Sequence, residues 1–203
     1  NFVISVLLCD CISYYRKMFS KLQLSPLIEE DEYAAHFFDV YVKPNITILS
    51  HQNLKGQSEP KTVMFHDIFG SKLNIYISSP AGCGKTSFAK YLALIWCQAH
   101  QPIQSDSQRL LEEDINEMRK FMFLFIVFLR DSHESECDVD IMIQNQLLPN
   151  LSNSIIYAEL GVKFLQKLLS SVKCIIVLDD LDERSHPTGN TCVLKNTHTT
   201  QQG

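Results

Sequence analysis

The stretch Leu73-Asn74-Ile75-Tyr76-Ile77-Ser78-Ser79-Pro80-Ala81-Gly82-Cys83-Gly84-Lys85-Thr86-Ser87-Phe88 decides how the rest of the chain is read. Leu73, Ile75 and Ile77 fall on alternate positions, which predicts a strand over Leu73–Ser78. From Lys85 the period changes. Phe88, Leu92, Ile95, Trp96 and Ala99 follow at helical spacing, which predicts a helix over Lys85–His100 with one buried stripe. Between them, Ser79 to Thr86 matches G-x-x-x-x-G-K-[ST] at every fixed position but the first, where Ser79 stands for glycine. Gly82 and Gly84 would let the backbone curl so that its N–H groups point at phosphate oxygens. Lys85 would add a mobile cation, and the Thr86 hydroxyl is the expected Mg²⁺ ligand. The start of the helix contributes its positive end. Ser79, Pro80, Ala81, Gly82, Cys83, Gly84, Lys85, Thr86 and Ser87 are the candidate binding residues.

Downstream, Phe121–Leu129 is apolar on both faces, as expected of a strand buried within a parallel sheet. Val139–Leu148 and Ile155–Leu169 read as helices. Lys173–Leu178 reads as a second doubly buried strand and runs into Asp179-Asp180-Leu181-Asp182-Glu183. Strands separated by helical connections of this length predict an α/β parallel sheet. An Asp at the carboxyl end of such a strand sits at the rim where ligands bind. Asp179 is the candidate metal ligand beside Thr86. Asp180, Asp182 and Glu183 are the candidates for positioning or deprotonating water.

Upstream, Phe2–Leu24 is predicted as an amphipathic helix stopped by Ser25-Pro26, followed by the acidic turn Glu29–Glu32. Phe37–Leu49 is expected to be extended, and His51–Thr62 a polar connection. The 203 residues are 45% hydrophobic and 20% charged, which excludes disorder of the whole chain. Net charge is −5, so no basic field is present for nucleic acid. No apolar run reaches the ~18–20 residues of a membrane helix. Seven cysteines without a C-x-x-C pair are expected to be reduced thiols of an intracellular protein. His133, Glu134 and Cys137 lie on one polar connection without a second ligand pair and read as a loop, not a metal site. Arg130 ends the first buried strand and could meet phosphate, the acids, or solvent.

The loop Ser79–Thr86 followed by Phe88-Ala89-Lys90 and Leu92-Ala93, together with Asp179-Asp180-Leu181-Asp182-Glu183, resembles the phosphate loop and extended Walker B of NACHT NTPases. The approach segment Phe38–Ile48 is similar to what precedes this module in the large invertebrate NACHT sets. The resemblance spans about Phe37 to Pro187. It implies a P-loop NTPase with a parallel sheet flanked by helices, carrying ATP or ADP with Mg²⁺. It also implies a cytoplasmic signalling switch of the innate-immune type, with slow hydrolysis and homo-oligomerisation of the full module. Residues 1–70 would be an N-terminal helical flank, 71–185 a partial nucleotide-binding core and 186–203 a polar tail. Asp180 departs from the family, which prefers a small residue there, so the water-directing acid is either Asp180 or the Asp182/Glu183 pair. The sensor strand and helical lid that follow in the family have no room after Glu183, so a fragment is expected, with the slot between the Leu73–Ser78 and Cys174–Leu178 strands empty or filled by a short substitute such as Thr191–Lys195. Two other functions compete: a P-loop kinase acting on a small acceptor, and a nucleotide-binding scaffold without turnover.

Overall fold

The computed structural model describes residues 2–23, 34–48, 61–70, 74–133 and 136–181. In chain order these form α1 (Phe2–Phe19), β1 (Lys21–Gln23), β2 (Ala34–His36), α2 (Phe37–Val40), β3 (Ile46–Ile48), β4 (Lys61–Val63) and α3 (Phe65–Ile68). There follow α4 (Lys85–His100), α5 (Gln104–Ser107), α6 (Glu112–Met118), β5 (Phe123–Phe128), α7 (Val139–Gln146), α8 (Ser154–Ser171) and β6 (Cys174–Asp179). The fold is mixed α/β, with three two-stranded sheets among the described residues.

β5 and β6 pair in parallel, from Phe123 opposite Cys174 to Phe128 opposite Asp179. Their crossover runs through α7 and α8, the helical connection that a parallel pair requires. β5 is buried on both faces, as expected, but β6 is only half-buried up to Leu178. Of the expected strand Leu73–Ser78, Leu73 lies outside the described residues and the rest forms no strand. Residues 74–80 have no regular structure, and Ile75 and Ile77 are each 42% exposed. Alternation fits a side-chain pattern to a strand, but a strand also needs a neighbour for its N–H and C=O groups. Among the described residues no strand pairs with this segment.

α4 is the spine of the fold. It packs against α1, α6 and both parallel strands. Its buried surface is therefore wider than the expected stripe, taking in Tyr91, Ala93, Leu94, Cys97 and Gln98 as well. Trp96 is fully buried, and its indole N–H donates to the Phe121 carbonyl at 3.1 Å. The predicted first helix ends at Phe19, not Leu24, because β1 pairs antiparallel with β2. The segment expected to be extended from Phe37 opens with the short α2, then runs irregularly to β3, which pairs with β4.

Side chains close one margin of the parallel pair. Tyr15 of α1 donates its hydroxyl to the Leu124 carbonyl at 3.0 Å and accepts from the Ile126 N–H at 3.2 Å. Gln146, the last residue of α7, accepts from the Phe128 N–H and donates to its carbonyl, each at 2.9 Å. α1 is fastened to α8 by Asp10, whose buried carboxylate accepts from the Tyr157 hydroxyl at 2.7 Å and from the Asn153 backbone and side-chain amides. α8 bends at Gly161, whose φ of 63° lies in the left-handed region.

Candidate functional site

Four residues, Ala81 to Gly84, make the turn into α4. Gly82 has φ 78° and Gly84 has φ 86°, the left-handed region where side-chain-bearing residues rarely sit. A Cβ added at Gly82 would meet nothing within 4 Å, so the turn presents bare backbone to open space. The Cys83 N–H closes the turn on the Pro80 carbonyl, and the Phe88 N–H starts the helix ladder on Gly84. Lys85 folds back across the loop and donates to the Ser79 carbonyl at 3.2 Å. Lys85, Thr86 and Ser87 are half-buried, while Ala81, Gly82 and Cys83 are exposed.

A cleft of about 290 Å³ opens beside this turn. Gly82, Cys83, Gly84 and Ser87 form one wall, and Phe37, Tyr41, Val42 and Pro44 form much of the other. The approach segment and the glycine turn therefore face each other.

The acids at the end of β6 are 7% and 8% exposed for Asp179 and Asp180. Asp180 has φ 62°, so the chain turns sharply immediately after the strand. Its Oδ2 lies 3.3 Å from Arg130 Nε, so the cation that ends β5 meets the acid that follows β6. Asp179 Oδ2 is buried without a hydrogen-bond partner among the described residues. An unsatisfied buried carboxylate oxygen is costly unless a cation or donor completes it. Asp182 and Glu183 lie outside the described residues, as does the polar tail 186–203.

The cysteines divide. Cys9, Cys11, Cys83, Cys97 and Cys174 are free thiols, but Cys137 is disulfide-bonded. This corrects the expectation that all seven are reduced; spacing in sequence gives no sign of two cysteines brought together by the fold. Burial pushes the Cys97 and Cys174 thiols up to about 12. Cys83 and Cys9 are exposed. No cluster of three or more His, Cys, Asp or Glu that could hold a metal occurs among the described residues. No described helix is long and apolar enough to cross a membrane.

One buried acid had no signal in the sequence. Asp114 of α6 is 2% exposed and accepts from the Tyr91 hydroxyl at 3.0 Å and from the Lys43 ammonium at 2.5 Å.

The chain matches no family model, no curated protein and no solved structure.

Proposed function

We propose that this chain binds ATP and ADP as a NACHT-type switch of cytoplasmic signalling, with slow hydrolysis and self-association of the full module. The observation that carries the proposal is the pair of left-handed glycines, Gly82 and Gly84, at the start of the sixteen-residue α4. Bare backbone there, with Lys85 folded over the loop, suits an anion carrying several phosphate oxygens.

The residues also fit Mg²⁺. The Thr86 hydroxyl and Asp179 carboxylate are hard oxygen donors, and Asp179 Oδ2, like Asp180 Oδ2 beside it, is buried with no hydrogen-bond partner among the described residues. Bound Mg²⁺ would neutralise phosphate charge. Arg130 already engages Asp180, which favours Asp182 or Glu183 as the residue that positions water.

Calorimetry of MgATP with the parent and with Lys85→Ala tests the proposal. Loss of the loop cation should weaken binding at least tenfold, since charged hydrogen bonds contribute about 1.5–3 kcal/mol. Equal affinities overturn it. The irregular, exposed segment 74–80 favours a second reading, a nucleotide-binding scaffold without turnover. Binding of ATP with no release of phosphate over hours would select it.

A further inference from the structure

We infer that Lys43 is a positioning residue for the nucleotide, holding the cleft wall that faces the glycine turn; the inference rests on the proposed nucleotide site. The Tyr41 N–H still bonds to the Phe37 carbonyl at 2.9 Å, but residues 42–45 that follow belong to no helix or strand. Yet Tyr41, Val42 and Pro44 line the cleft. Lys43 does not line it. Its ammonium reaches away to Asp114 on α6 and lies 4.7 Å from the centre of the Phe65 ring and 5.9 Å from that of Tyr91.

Asp114 is the other half of the clasp. It accepts from Tyr91, two turns along the helix that begins at the glycine turn. Tyr41 stacks on the same Tyr91 ring at 4.6 Å and on Phe37 at 4.9 Å. One carboxylate thus ties the approach segment to the helix that carries the phosphate-facing loop. Val42, between the two anchored residues, is 84% exposed and stands at the cleft. Releasing Lys43 would let Val42 and Pro44 drift from the loop, so the cost should fall on whatever lies against that wall and spare the phosphates.

The test compares MgATP with Mg-tripolyphosphate, which has the phosphates and no base or sugar. Lys43→Met alone strands a buried carboxylate and is expected to destabilise the chain. The working variant is therefore Lys43→Met with Asp114→Asn, which removes both charges, beside Lys43→Arg, which keeps them. The double variant should bind MgATP about tenfold more weakly and tripolyphosphate as the parent does, and Lys43→Arg should restore MgATP binding. In the unaltered chain, MgATP should slow amide hydrogen exchange at Tyr41 to Lys43 and tripolyphosphate should not. Parallel losses for both ligands, or none for either, or unchanged exchange with MgATP, overturn the inference while leaving the nucleotide site standing. A parent that binds neither ligand overturns the nucleotide reading itself.

Discussion

Arg130 Nε stands 3.3 Å from Asp180 Oδ2, joining the carboxyl ends of the two parallel strands. The guanidinium is half-exposed and the carboxylate buried, so the pair distinguishes two adjacent acids that look equivalent in sequence. Oδ2 of each acid is buried without a hydrogen bond among the described residues, and what separates them is the Arg130 cation beside Asp180.

That division predicts different losses. Asp179→Asn should remove the gain in ATP affinity that Mg²⁺ gives over EDTA, because a metal-holding acid acts in the ground state. Asp180→Asn should keep the gain. Calorimetry with and without Mg²⁺ reads both, and an intact Mg²⁺ effect in Asp179→Asn removes that residue from the metal site.

Cys83 should be the thiol that nucleotide protects. It is exposed at a helix N-terminus beside Lys85, whereas burial holds Cys97 and Cys174 near 12 and unreactive. Cys9 is also exposed but on α1, so it serves as an internal control. Brief iodoacetamide treatment followed by mass mapping should show MgATP sparing Cys83 and not Cys9. Equal labelling of Cys83 in both conditions contradicts a ligand in the loop.

His100 gives the fold an acid sensitivity. Burial pushes its pKa below 6.5, opposed by the Phe121 carbonyl, which accepts from Nε2 at 2.8 Å. The unfolded chain therefore binds more protons just below about 6.5, and stability falls as pH drops through that value toward the lowered folded pKa. Melting temperature should decline from pH 7.5 to 5.5, and His100→Gln should flatten that part of the decline. An identical slope in the variant assigns the sensitivity elsewhere.

Gln146→Leu should destabilise the chain by about 2 kcal/mol, because it leaves an N–H and a carbonyl of Phe128 without their bonds. Gln146→Glu should fall between, accepting from the N–H but unable to donate. Urea denaturation monitored by circular dichroism gives the numbers, and a neutral Leu variant would mean that water replaces the amide.

The turn into α4 and the helix itself were legible because both follow local rules: glycines before a lysine, then apolar residues at helical spacing. β5 was legible from its unbroken apolar run, and β6 from the same signal, though not its half-burial. The strand expected over Leu73–Ser78 failed because alternation is a local property and pairing is not. α5 and α6 carried no period to read, being four and seven residues long with few apolar positions. Asp114 lies in a run of acids, Glu112-Glu113-Asp114, where a solvated surface is the natural expectation. Its burial depends on Lys43, 71 positions away. Tyr15 falls within the predicted amphipathic helix, but its hydroxyl serves backbone groups more than a hundred residues distant.

The side chains of Tyr15 and Gln146 have one more consequence. A sheet sealed along one margin can lengthen in a single direction. Among the described residues no strand pairs with the outer edge of β6, so a recruit would enter there, and one running parallel would finish at the rim where Asp179 and Asp180 stand. Correct assembly and misassembly therefore share one doorway, and whatever fills it also becomes a neighbour of the acids.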